Sequence, residues 1–225
     1  MLSESVIRPH EDLLSKIRRD RRKLDWFVVA DPAAASIFGV LFLAINPISK
    51  AIYVLNEIYE KKQSEMTVQR IGQRIINTRN RLFLYQYKEW RQIYDEAETW
   101  FANEMMDHFN EYFEPTHKMK TDKTSNLSLI KDILIQGNLY ISDECMNFYR
   151  ELDHYRKDKK GKIPKKDDHL IDCFRYALDA AHYDTVATIE YEVEKDTDDF
   201  RAATPEQDFP DLVKDETHLG EFLEV

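Results

Sequence analysis

Apolar residues first gather in three strand-length runs. Trp26 to Ala30 (WFVVA) ends at Asp31, and Ser36 to Ile45 is almost continuously apolar, as expected of a strand buried on both faces. Lys50 to Glu60 (KAIYVLNEIYE) is β-branched and aromatic, with Asn46-Pro47 as the breaker before it. Short connections between the three runs predict an antiparallel meander. The period then becomes helical. Met66, Val68, Ile71, Ile75 and Ile76 mark a helix over 64–80 with Ser64 as N-cap, and its other face carries Arg70, Arg74, Arg79 and Arg81. Residues 82–94 are ambiguous, with strand character near Arg91–Tyr94. An amphipathic helix over about 97–112 presents Trp100, Phe101, Met105, Phe109 and Tyr112. A short strand is expected within 113–119, then a helix over 125–136, capped by Ser125 or Asn126 and stopped by Gly137. A strand over 138–142 follows, then a helix from Asp143, its cap, to Tyr155. After a basic loop, a last helix runs from Asp167 or Asp168 to about Tyr183. Three strands followed by helices alternating with short strands predict a mixed α/β domain with an antiparallel half and a parallel half.

Composition agrees with one well-buried domain plus appendages: 225 residues, 43% hydrophobic and 12% aromatic. The expected organisation is a linker or junction at 1–25, the α/β domain at 26–186 and an acidic, disordered tail at 187–225. In the first segment Leu13, Leu14 and Ile17 precede a basic run, Arg18, Arg19, Arg21, Arg22 and Lys23, read as a solvated helix or linker end. The net charge of −10 belongs to the tail, which holds 13 Asp/Glu against 3 Lys/Arg, leaving 29 of each sign in 1–186. The acidity therefore does not count against nucleic-acid binding by the body. Only 5 glycines are present, at 39, 72, 137, 161 and 220, and no pair fits a Walker A loop or a dinucleotide fingerprint. Cys145 and Cys173 form no CxxC pair, which argues against a disulfide scaffold and for a reducing compartment. The apolar stretch from Trp26 to Ile48 contains Asp31, Pro32 and Pro47 and is β-rich, so no membrane partner is expected.

Three groups of residues could carry chemistry. Asp31 directly follows an apolar strand; burying its bare charge would cost roughly several kcal/mol, so it belongs at the strand's end, facing solvent, a metal or a cation. Asp-Pro is also an ordinary turn initiator. Asp95, Glu96 and Glu98 follow a weak strand and open a helix, where carboxylates also serve the helix dipole. The third group, Lys165 to Leu178, is the most informative. Asp168, His169 and Asp172 fall on neighbouring positions of a first helical turn, above an apolar stripe of Leu170, Cys173, Phe174, Ala177 and Leu178. Asp172 could instead pair with Arg175 or Tyr176. Carboxylates from two strand ends and a helix can converge on one point, where mutual repulsion calls for a cation and oxygen ligands suit Mg2+ or Mn2+.

With these residues in view, the chain resembles the C-terminal nuclease domain of the large subunit of tailed-bacteriophage terminases, over about residues 27–183. The most specific stretch is DDHLIDCFRYAL, similar to the family's Asp-His-x-x-Asp-x-x-Arg-Tyr. IKDILIQGNLYISDECMNFYRELDHY is similar to its helix, short strand, and helix ending in Glu-Leu-x-x-Tyr. The resemblance implies a ribonuclease H-like fold and cutting of concatemeric viral DNA during packaging, with two divalent ions, Mg2+ or Mn2+, and little sequence specificity. It implies that Asp31 bridges both ions, that Asp95 holds one and Asp172 the other, and that His169 and Asp168 assist. Glu96 or Glu98 could stand in for Asp95. Asp31-Pro32-Ala33 lacks the glycine that often follows the family's first aspartate.

The packaging ATPase that normally precedes this domain is not in the chain, so a fragment or a separately encoded module is expected. The implied partners are double-stranded DNA, that ATPase domain, the portal and the small terminase subunit, in the cytoplasm of the infected host cell. Lys118, Lys120, Lys123, Lys160, Lys162, Lys165 and Lys166, with Lys159, are the candidate phosphate contacts. The acidic tail is expected to compete with DNA for them. Two other readings stay open: a non-catalytic ribonuclease H-like module docking onto a portal or motor, and a resolvase-type nuclease outside packaging.

Overall fold

In the computed structural model, which describes residues 7–32, 37–61, 67–82, 88–116, 123–155 and 168–183 (backbone only for 123–126), the first three apolar runs pair in sequence order. Strands β2 (Asp25–Pro32), β3 (Ile37–Ile45) and β4 (Ile52–Lys61) form the expected antiparallel meander. A register shift between Phe42 and Leu43 leaves Leu55 as an extra residue in β4, a bulge that bends the longest strand. Parallel strands extend the meander on both sides. β5 (Trp90–Tyr94) lies beside β2, with β6 (Glu114–Pro115) outside it; β7 (Leu139–Ser142) lies beside β4, with β1 (Ile7–Arg8) outside it. The seven-stranded order is β1-β7-β4-β3-β2-β5-β6.

Helices cover both faces, and strand parity decides which residues meet them. Phe27, Val29, Leu41, Leu43 and Ile93 face a layer made by α4 (Lys123–Gln136), α5 (Met146–His154) and α6 (His169–Ala180). Trp26, Val28, Ala30, Val40 and Phe42 face the opposite layer of α1 (His10–Asp20), α2 (Val68–Leu82) and α3 (Thr99–Phe109). The central strands are buried on both faces, which is why Ser36 to Ile45 lacks an alternating pattern.

Several elements differ from the sequence expectation. Residues 7–20, expected to belong to a linker, pair and pack: β1 joins β7, and α1 buries Leu13, Leu14 and Ile17 against the sheet. The short polar turns of α1 hide a stripe of only three apolar residues, too brief to read as a core helix. The helix expected from Asp143 starts at Met146 with Cys145 at its N-cap, because the Asp143 carboxylate accepts the His10 backbone N–H instead (3.1 Å). The expected tail and basic loop, and Ser64, lie outside the described residues. Among the described residues no helix is long and apolar enough to cross a membrane.

Candidate functional site

Parity places the first two acids. Asp31 continues the alternation of Phe27 and Val29, so its side chain lies on the α6 face of the sheet at the C-terminal end of β2. Asp95 comes two residues after Ile93, on the same face, just past the end of β5. The two strands are parallel neighbours, with Ala30 opposite Tyr94, and the Asp95 backbone N–H donates to the Ala30 carbonyl (3.1 Å). The ladder thus carries both carboxylates to one edge of the sheet, where the strand ends leave polar groups room that the core does not.

The third contribution arrives on α6, which packs across β2 and β3. Asp168 is its N-cap residue, His169 its first residue, and Asp172 lies in its first turn. His169 donates from Nδ1 to Asp31 Oδ2 at 2.7 Å, which assigns the proton on that nitrogen. This approach runs close over Gly39, the β3 partner of Asp31. A Cβ there would stand 3.3 Å from His169 Cβ and 3.4 Å from Leu170 Cδ2. Tyr176 donates its hydroxyl to Asp95 Oδ2 (2.8 Å), and Asp95 Oδ1 accepts the Ala97 N–H (3.0 Å). Asp172 accepts from Arg175 Nη1 at 2.5 Å. Of the three acids after β5, Asp95 is the one held by α6, whereas Glu98 accepts the indole N–H of Trp100.

The electrostatics show negative charge gathered at this edge. Asp31 is 8% exposed, and burial pushes its carboxyl above its ordinary value; the charges of Asp95 and Asp168 add to the rise, and His169 opposes it. His169 is raised as well, chiefly by its hydrogen bond to Asp31, so the pair retains a proton more firmly than two solvated groups would. Burial raises Tyr176 strongly, with Asp172, Asp95 and Asp31 all acting in the same direction. The phenol is therefore a neutral donor at ordinary pH.

The donor set is all carboxylate oxygen, with one imidazole, and fits a hard divalent cation. Among the described residues, however, no three His, Cys, Asp or Glu side chains are gathered as around a single ion. Each acid is turned to a protein partner: Asp31 to His169, Asp95 to Tyr176, Asp172 to Arg175.

Two residues have roles at the site that the sequence reading did not assign: Tyr176, an alternative partner of Asp172 in the sequence, holds Asp95 instead, and Glu151 reaches the start of α6. Tyr176 lies four residues after Asp172 and seven after His169, so helical spacing could have placed it on the same stripe. Glu151 opens the Glu-Leu-x-x-Tyr stretch, but nothing in the local pattern gave it a role. It accepts the backbone N–H groups of Leu170 and Ile171 from another helix (2.8 and 3.1 Å). The candidate DNA-binding lysines Lys118, Lys120, Lys160, Lys162, Lys165 and Lys166 lie outside the described residues, and Lys123 opens α4 with its side chain undescribed. On α2, Arg74, Arg79 and Arg81 are paired with Glu60, Glu111 and Glu144.

The comparisons with known proteins point one way. A family model described as "Terminase RNAseH like domain" matches residues 34–180. The proteins named "Terminase, large subunit" from Salmonella phage P22 and Enterobacteria phage LP7 are each 33% identical over 52 residues. That stretch is 23% of this chain and only 10% and 11% of those relatives. Among solved structures, the large terminase of a thermophilic bacteriophage aligns with a TM-score of 0.59 at 16% identity, over 80% of this chain and 43% of that one. The large terminase nuclease domain of bacteriophage SPP1, solved with bound Mn, aligns with a TM-score of 0.55 at 15% identity, over 80% and 99%. The nuclease domain of the P22 large terminase aligns at 0.52 and 16% identity, over 72% and 83%. At these identities the structural likeness establishes the ribonuclease H-like fold.

Proposed function

The chain belongs to the terminase RNase H-like domain family, and from that premise we propose that it is a divalent-metal-dependent DNA endonuclease that cuts viral DNA during packaging. The observation that carries this is the arrival of Asp31, Asp95 and the first turn of α6 at one sheet edge. Asp31, Asp95, Asp172 and Asp168 would hold the ions, which supply polarisation of the phosphodiester and of the attacking water. Asp31 and Asp95 present oxygens from adjacent, rigid strand ends, which favours a fixed spacing between ligands. His169 orients the Asp31 carboxylate and retains a proton at Nδ1. Tyr176 fixes one oxygen of Asp95 by donating its phenol hydrogen there.

DNA would be gripped through phosphates, with Lys118, Lys120, Lys123, Lys160, Lys162, Lys165 and Lys166 as the proposed contacts and little base reading. The solved large terminase of the thermophilic bacteriophage is longer than this chain, which covers 43% of it. A packaging ATPase domain, a portal and a small terminase subunit are accordingly proposed as partners, and the body 26–186 as the catalytic unit.

The test is plasmid cleavage by the purified chain with Mn2+ or Mg2+, beside Asp31→Asn and EDTA controls. Metal-dependent nicking and linearisation, lost in Asp31→Asn, is the expected result. Equal inactivity of wild type and variant, with no Mn2+ binding by calorimetry, would favour a non-catalytic docking module. Cleavage that survives Asp31→Asn would overturn the assignment of the site.

A further inference from the structure

The N-terminus of α6 is held by a residue that the proposed chemistry does not use. Glu151, on α5, is 5% exposed, and its Oε2 accepts both the Leu170 N–H at 2.8 Å and the Ile171 N–H at 3.1 Å. These amides are the second and third of the helix, the ones an N-cap side chain ordinarily satisfies. Asp168, the N-cap residue, makes no side-chain cap bond to them. A carboxylate brought from another helix into a buried position is a costly way to start a helix, because an N-cap aspartate or water would serve at the surface. What the arrangement adds is location: the first turn of α6 is tied to α5, not merely terminated.

The same turn is held from a second side. It leans on the backbone of β3 at Gly39, where a Cβ would stand only 3.3 Å from His169 Cβ. Held by Glu151 on one side and seated on Gly39 on the other, the turn has little freedom to slide. His169 consequently meets Asp31 at 2.7 Å. α5 is anchored in like manner, for Glu57 of β4 accepts the N–H groups of Asn147 and Phe148 (2.9 and 2.8 Å). The sheet thus positions α5, and α5 positions α6.

We propose that Glu151 is a positioning residue of the site, acting through the first turn of α6 to set the Asp31–His169 pair and, with it, the affinity for divalent ions. The part that concerns ions rests on the nuclease reading above; the part that concerns the pair does not. The mechanism is geometric. With the cap lost, two buried amides seek other acceptors and the first turn frays, so His169, its first residue, moves off Asp31.

The test uses the full chain as wild type, Glu151→Ala, Glu151→Gln and Ile75→Val. Ile75 is buried on the opposite face of the sheet, so its variant lowers stability by the loss of one methylene without touching α6. The first measurement is the His169 ring 15N shifts in metal-free protein, and the second is Mn2+ affinity by calorimetry. Glu151→Ala is expected to lose the shift signature of a hydrogen-bonded Nδ1 and to bind Mn2+ about tenfold more weakly. Glu151→Gln keeps an acceptor for the two amides and should stay close to wild type in both, as should Ile75→Val.

The proposal is overturned if folded Glu151→Ala keeps both the His169 shifts and the Mn2+ affinity. It is equally overturned if Ile75→Val reproduces the losses, since they would then follow from stability alone. Should Glu151→Ala fail to fold, Glu151→Asp takes its place: the carboxyl group is kept but the reach is one methylene shorter, and the same losses are expected. Failure of both to fold makes Glu151 a folding residue and sinks the positioning role. If wild type itself binds no Mn2+, the nuclease reading falls, and the His169 shifts alone decide the role of Glu151.

Discussion

Asp31, Glu151 and Tyr176 occupy places where a polar group is costly to bury, and each meets the cost through a named partner. Asp31 has the His169 N–H, Glu151 has two backbone amides, and Tyr176 has the Asp95 carboxylate. For Glu151 the compensation is incomplete, since its Oε1 is buried without a hydrogen-bond partner, and burial pushes its carboxyl from 4.5 up to about 8. Between those two values the folded chain holds a proton that the unfolded chain has released, so stability falls as pH rises. The contribution is fully present below 4.5 and is gone once the pH has passed about 8. Urea midpoints measured between pH 5 and pH 8 should decline in wild type, and the decline should be shallower in Glu151→Gln. An identical slope in the two proteins would assign the pH dependence to other groups.

Helix placement turns on contacts of similar economy. α5 and α6 both begin without a side-chain bond from their own N-cap residues, Cys145 and Asp168, and both are capped from another element by a glutamate. On the other face, α2 and α3 approach so closely at Gly72 that a Cβ there would stand 2.9 Å from Met105 Sδ and collide with the Phe109 ring. Two effects compete when Gly72 becomes alanine. The gain in helix propensity is about 1 kcal/mol, while overpacking a tight contact costs about 1–3 kcal/mol. Because Met105 is fully buried, with no solvent for its thioether to move into, the steric effect should win. Gly72→Ala is expected to lower the urea midpoint, and a companion Phe109→Leu change to recover part of the loss; a stabilised Gly72→Ala would mean that α3 yields easily. Neither feature was visible in the helical pattern of 64–80, which located the helix but said nothing of its neighbour.

For the whole molecule, the separation of charge matters more than its total. Residues 187–225 carry the entire net charge of −10, so removing them leaves a chain with 29 residues of each sign. Deleting the segment should raise DNA affinity at low salt and steepen its salt dependence, because fewer acids repel the phosphates. A fluorescence-anisotropy titration showing unchanged affinity would remove any inhibitory part for the tail. By itself the sequence determined the order and type of the main elements, because period-2 and period-3.6 runs are properties of the local chain. It also determined the identities of Asp31, Asp95 and Asp172 as acids at element ends, where apolar runs stop. Parity even contained the fact that Asp31 and Asp95 share a face with Phe27, Val29 and Ile93. Only the tertiary structure decided that residues 7–20 complete the sheet and core, that Tyr176 holds Asp95, and that Glu151 ties down α6. Those three depend on which helix lies against which strand, a choice made by packing between segments 19 to 134 residues apart, across which local patterning has no reach.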